Sequence, residues 1–286
     1  MATRRIEGIE DSLLEASNRF AHSAESPSLW QLRLFDRWTL RSRHNEIPFG
    51  LREERMLAVL ALYGARSRRH IAGVLWPDST DAHAAGNLRA AVWHVEHAVP
   101  GLLLRERARL GLSGVVGVDV QEFLLCVRQL VGSDAARDRQ ELERALGTLQ
   151  RGDLLPGWYD DWVLYERSRL AQLRVRGLEI LAERLISMGD TRRALEAALA
   201  AVAIEPLRES AQRALIRVHI ADGNHLDAVR EYRSFCTRLA AEMDVTPSEQ
   251  LESLIHPLLT RGHRRVGGTV SKAASAWSAS LASVGP

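Results

Sequence analysis

Lysine is all but absent from this chain. Of its 38 basic residues one is lysine, Lys272, set in a stretch of Ser, Ala and Gly. That excludes a P-loop, whose lysine must reach phosphates from a glycine-rich loop, and lysine Schiff-base chemistry in a folded pocket. Cysteine is nearly as scarce. Cys126 and Cys236 lie 110 positions apart, which makes neither a disulfide framework nor a metal motif and suits a reducing cytosol. Apolar runs are far shorter than the roughly 20 residues that span a bilayer. Met1 to Arg5 are followed by acidic residues and not by an apolar core, so no signal peptide is read.

What is present is enough for real cores. A chain of 286 residues with 46% hydrophobic content points to two soluble domains. The net charge of +2 hides unequal parts: residues 29–120 carry +4, residues 121–260 carry −4, the lead-in 1–28 carries −2 and the tail 261–286 carries +4. A basic first domain joined to an acidic second one points to a polyanionic partner for the first.

The lead-in reads as a mobile segment with one short helix around Ile6–Phe20. Residues 29–49 alternate apolar and polar: Trp30, Leu32 and Leu34, then Trp38 and Leu40, then Ile47 and Phe49. This period of two predicts three short strands. The period then becomes helical. A first helix is predicted from about Leu51 to Gly64, a second over Arg68–Leu75 capped by Ser67, and a third over Asp81–Val99 capped by Thr80 or Asp81 and stopped by Pro100. Residues 102–112 read as two short strands around a basic turn, Arg105–Arg109. Gly111, Gly114 and Gly117 do not make a dinucleotide fingerprint, because the spacing is wrong and no helix opens after them.

Strands, three helices and a basic hairpin describe a winged helix-turn-helix, with the third helix as the reader. At 100° per residue Leu88, Ala91, Val92, Val95 and Val99 share one face, which should pack inward. The opposite face carries His83, Gly86, Ala90, Trp93 and His97, flanked by Asn87, Arg89 and His94. An outward Trp beside two His and an Arg suits base and phosphate contact better than plain solvation. Arg105, Arg107 and Arg109 stand on alternate positions, as a row for phosphates or a minor groove. Ser67 and Arg68, at the start of the second helix, complete the expected DNA-binding set. His94 and His97 are not read as a metal site, since only His83 is spaced to join them. No cofactor is expected.

From Val120 onward the pattern is almost wholly helical, with a repeat of 34 residues: Gly189 and Gly223, Ala194 and Ala228, Ala198 and Tyr232. Each Gly lies between two helical stretches, Leu178–Met188 and Thr191–Ile204, then Ser210–Asp222 and His225–Met243. This resembles the tetratricopeptide repeat, in which small residues let paired helices approach closely. The fold class expected is therefore mainly α: an N-terminal α+β winged helix over 29–120, then an all-α repeat domain over 121–260. Asp160 and Asp161 point about 100° apart on a helix, so they are read as caps of a helix starting near Trp162, not as paired catalytic acids. Trp158, Tyr159 and Trp162 are read as packing between the two domains.

Arg55-Met-Leu-Ala-Val-Leu-Ala-Leu, Ile71-Ala-Gly-Val-Leu-Trp-Pro-Asp78, Asn87-Leu-Arg-Ala-Ala-Val-Trp-His-Val95 and Val118-Asp-Val120 together resemble the winged helix of the Streptomyces antibiotic regulatory proteins. Gly152-Asp-Leu-Leu-Pro-Gly-Trp-Tyr-Asp-Asp-Trp-Val-Leu-Tyr-Glu-Arg167 resembles the opening of their bacterial transcriptional activator domain. The resemblance covers about residues 29–260. It implies a pathway-specific activator in the cytoplasm, associated with the nucleoid, that binds direct repeats of double-stranded DNA near promoters and contacts RNA polymerase holoenzyme, with protomers side by side on DNA. It implies no membrane and no enzyme, and no nucleophile–base set stands out. One departure bears on affinity. Where the family's reading helix ends with several Arg, this chain has His94-Val-Glu96-His97, which points to weak, pH-sensitive or oligomer-dependent binding. The rival reading is a helical-repeat adaptor for protein partners with a weakened DNA-binding domain.

Overall fold

The computed structural model describes residues 29–42, 45–106, 108–132 and 138–260. The expected helix around Ile6–Phe20, Arg107 and the tail lie outside them. The fold is mainly α and divides into two compact units at Gly177–Leu178.

The first unit opens with β1 (Trp30–Arg33), the central strand of a three-stranded sheet in the order β2-β1-β6. β2 (Thr39–Ser42) runs antiparallel to it and pairs Leu40 with Leu32; β6 (Val116–Val118) runs parallel and pairs Val118 with Leu32. Leu32 is buried while its neighbours Gln31 and Arg33 are exposed, which is the alternation the sequence shows. The third strand expected near Ile47 and Phe49 does not form. Glu46 makes an isolated bridge with Arg41 and the Ile47 N–H donates to the Leu40 carbonyl, and there pairing stops. Pro48 follows, with no N–H to extend a ladder.

Three helices come next. α1 (Leu51–Tyr63) ends at Gly64, which takes φ 67° and returns its N–H to the Leu60 carbonyl. α2 (Arg68–Leu75) and α3 (Asp81–Ala98) pack on α1 and on each other. Between and after them, β3 (Arg66–Ser67), β5 (Arg109–Leu112) and β4 (Leu103–Arg105) form a second sheet in that order, the wing. Gly111 is needed there: a Cβ on it would meet the Ala65 Cβ at 2.9 Å, so only glycine lets the wing close on the corner after α1.

β6 runs directly into α4 (Asp119–Gly132). Asp119 is 4% exposed, and its carboxylate accepts from the N–H groups of Leu34 and Phe35 at 2.9–3.0 Å, just beyond the end of β1. Burial pushes this carboxyl above its ordinary range, and the Phe35 and Leu34 N–H groups pull it partly back. α5 (Arg139–Leu149), capped by Asp138, lies against α4. The segment after α5 then returns to the strand end. The Leu155 N–H donates to the Leu34 carbonyl, the Asp36 N–H to the Asp153 carbonyl, and the Gly152 N–H to the Asp36 carboxylate. Asp36 and Leu155 both hold positive φ, 66° and 45°, a conformation that costs a non-glycine residue about 1–2 kcal/mol. The surrounding hydrogen bonds hold it.

α6 (Asp161–Ser187) locks this segment. Arg167 donates to the carbonyls of Leu154, Leu155 and Trp158, and Arg174 donates to that of Gly152. Arg174 also lies 5.2 Å from the Phe35 ring centroid and 5.6 Å from that of Phe123. Trp158 and Trp162 meet edge to face at 6.3 Å, but Tyr159, expected to pack, is 78% exposed. Asp160 does more than begin the helix. Its main-chain carbonyl accepts from Val163 and Leu164, while its side chain pairs with Arg55 of α1. These contacts lie within the first unit, which runs to Gly177.

The second unit holds the C-terminal part of α6, then α7 (Thr191–Ile204), α8 (Glu209–Ala221), α9 (His225–Met243) and a final helix over 249–260. The 34-residue repeat is a repeated turn. Gly189 and Gly223 hold φ 73° and 77°. Their N–H groups bond the carbonyls of Ile186 and Ile220, and the next N–H groups bond those of Leu185 and His219. Ala194, Ala198 and Ala228 are fully buried where helices meet, and Ile216, Ala228, Phe235, Leu251 and Ile255 share one core.

Two outcomes are expected. Asp119→Ala leaves two buried N–H groups without acceptors and should cost about 2–6 kcal/mol in urea unfolding, at about 1–3 kcal/mol for each. Asp119→Asn keeps one acceptor and removes the titration. Because the folded-state pKa is raised, the folded protein holds this proton more tightly than the unfolded chain. The parent's stability should therefore fall as pH rises from about 3.9 through the folded value, and the Asn variant should lose that part of the slope. Second, a fragment 29–120 lacks Phe123, Leu154 and Arg174, which pack on or bridge to Phe35, and should not unfold cooperatively, whereas 29–177 should. A cooperative melt of the shorter piece would show that α4 and α6 are dispensable.

Candidate nucleic-acid interface

The side chains expected to meet DNA stand on α2, α3 and the wing, all within the first unit. Ser67 caps α2 by accepting from the His70 N–H at 3.2 Å. Arg68 and Arg69 follow in the first helical turn, where the helix dipole disfavours positive charge, so local helix energetics do not explain them. Arg69 pairs with Asp81 at 3.3 Å, with both side chains nearly fully exposed, a contact of little energetic weight.

α3 is capped by Thr80, which accepts from the His83 N–H at 3.4 Å. Its inner face is the expected one, with Ala84, Leu88, Ala91, Val92 and Val95 buried. Trp93 is 57% exposed and does not fold onto the hairpin. His97 covers it instead: the two rings lie 3.9 Å apart at 32°, and His97 Nδ1 is 2.8 Å from the Trp93 carbonyl oxygen. The pair makes one flat platform along the outside of the helix. Arg89 is exposed one turn earlier and runs back over Gly86, where a Cβ would lie 3.8 Å from its terminal nitrogen.

These residues border one groove of about 1040 Å³ between α2, α3 and the wing. Arg68, Arg69, Arg89, Trp93, His97 and Arg105 line it, together with Ala72, Gly73, Leu88 and Val92. Ser67, Asn87, Ala90, His94 and Arg109 do not line it. His94 turns toward α1, with Nδ1 3.4 Å from both an Arg52 nitrogen and Glu53 Oε1. The arginine row does not lie on one strand face: Arg105 is in β4, while Arg109 is in β5 and donates to the Ala65 carbonyl at 2.7 Å. A turn intervenes, so alternate positions in the sequence do not become alternate positions of one strand. Arg69, Trp76 and Glu96 join the groove although the helical wheel gave no reason to choose them. The run Arg66-Ser67-Arg68-Arg69 was the available signal for Arg69. Among the described residues no group of three His, Cys, Asp or Glu is placed to hold a metal ion, and no helix is long and apolar enough to cross a membrane.

Residues 118–259 match the family of the bacterial transcriptional activator domain. That match points to a regulatory role of the activator type for the helical part of the chain. The fold is shared with a solved structure of Mycobacterium tuberculosis EmbR in complex with a low-affinity phosphopeptide, at a TM-score of 0.62 and 19% identity over 82% of this chain. The chain spans 65% of that protein's length. Among curated proteins none matches the sequence.

Proposed function

We propose that this chain is a sequence-specific DNA-binding activator of the Streptomyces antibiotic regulatory protein type, acting on a secondary-metabolite pathway. The observation that carries the reading is the arginine-bordered groove. Cations from α2, α3 and the wing converge on the outer face of one helix that also displays a Trp–His platform, in a chain with a transcriptional activator domain. In this reading α3 enters the major groove, with Arg89 on base edges and the Trp93–His97 platform on bases or sugars beside it. Arg68 and Arg105 hold phosphates on either side. The helical unit contacts RNA polymerase, and protomers stand side by side on direct repeats, related by translation and not by a two-fold axis.

Selection of bound fragments from a random DNA pool with the full chain, followed by anisotropy titration at several salt concentrations, tests this. On the selected site Arg89→Ala should relax preference at one or two base pairs and cost about 1–3 kcal/mol. Arg105→Ala should weaken all sequences alike and lower the salt slope by about one. Enrichment of no sequence, with both variants like the parent, would leave the protein-adaptor reading in its place.

A further inference from the structure

The groove has two features that contact with phosphates and base edges does not use. Its lining is largely apolar, with the buried Ala72, Leu88 and Val92, the exposed Gly73, and the indoles of Trp76 and Trp93. Its volume, about 1040 Å³, is at the upper end of small-molecule sites. Glu96 also lines it, and its Oε1 is buried without a hydrogen-bond partner. A buried acceptor left unsatisfied asks for a donor that the chain itself does not supply.

We propose that the groove binds a flat aromatic acid carrying a hydroxyl or N–H at the end away from its carboxylate. The fused ring lies on the apolar lining beside Trp93. The carboxylate is held by the guanidinium groups of Arg89 and Arg105, whose planar forks match it. The distal hydroxyl donates to the Glu96 carboxylate, whose half-buried side chain turns toward the groove to bring out the Oε1 it now seals from solvent. An ordinary hydrophobic ligand would leave the arginines and Glu96 unused. A purely polar anion would leave the apolar lining wet and meet the Glu96 charge unshielded. Because Arg89 and Arg105 also belong to the DNA-binding reading above, ligand and DNA exclude one another, and the ligand releases the protein from its site. That exclusion rests on the DNA reading; the binding itself does not.

Gly73 offers a clean test. It lies in the groove lining, and a Cβ on it would meet nothing within 4 Å, so Gly73→Leu adds bulk at the groove wall without a clash at that atom. The probe is 6-hydroxy-2-naphthoate, followed by its own fluorescence on the full chain without DNA. Saturable one-to-one binding is expected. 2-Naphthol, lacking the acid, and 2-naphthoate, lacking the hydroxyl, should each bind about tenfold more weakly, the effect of losing one hydrogen bond to a charged group. Gly73→Leu should abolish binding while circular dichroism shows the parent's helix content and melt. If that variant does not fold, Ala85→Leu, on the α3 side of the same groove, takes its place. Displacement of the probe by the selected DNA fragment is expected, and Arg89→Ala should weaken both. Absence of saturable binding, or binding indifferent to Gly73→Leu, would overturn the site. Simultaneous binding of probe and DNA would overturn the exclusion. A chain that binds the probe but no DNA would remove the DNA reading and leave the ligand site standing.

Discussion

The first unit depends on one buried carboxylate. Where β1 ends, the N–H groups of Leu34 and Phe35 point into the core with no strand to receive them. Asp119, first residue of the helix that follows β6, receives both. A side chain at a helix start thereby satisfies two donors at a strand end, with only 4% of Asp119 exposed. The carbonyl side of the same strand end is satisfied by Leu155. Without Asp119 the strand end would lie against α4 with two buried donors unpaired. Without α6 the rings of Phe35 and Phe123 lose the Arg174 guanidinium that covers them. The winged arrangement and the opening of the activator domain are thus one folding unit, although composition divides them into a basic and an acidic part.

The interface shows a separate logic. Its cations are all arginines, which keep their charge at any physiological pH and meet carboxylate and phosphate oxygens with paired donors. They come from three elements whose ends are each fixed locally: Ser67 caps α2, Thr80 caps α3, and Gly111 seats the wing against Ala65. The positions of Arg68, Arg89 and Arg105 therefore follow from backbone constraints and not from pairing with one another. They remain available to a ligand at small cost in rearrangement.

Much of this was legible in the sequence because it is local. Gly64, Pro77, Pro100, Gly189 and Gly223 punctuate the helices, and each acts within a few residues of itself. The inner face of α3 followed from a 100° step alone. What was not legible is long-range. Arg55 meets Asp160 across 105 residues, and Asp119 meets Leu34 across 85. No periodicity signals such partners, since a carboxylate at a helix start looks the same whether it caps its own helix or a distant strand. The missing third strand had a local cause, Pro48, that the alternating apolar pattern outweighed in reading. Tyr159 reads, with Trp158 and Trp162, as packing between the two domains because the aromatic residues cluster in sequence. Clustering in sequence does not put all three on one side of the chain.

The repeated turn around Gly189 and Gly223 carries a consequence for how such a chain changes length. Each turn is closed by its own backbone bonds and its own positive-φ glycine, and the alanines behind it need only the neighbouring helix. A stack built this way has no single keystone. A helix pair can be gained or lost in steps of one repeat, with stability changing roughly in proportion to the number of neighbouring faces. The first unit has no such freedom, because its closing contacts come from residues as far apart as Leu34 and Arg174. Variation in reach belongs to the helical stack, while the wing and its helices are held to one length.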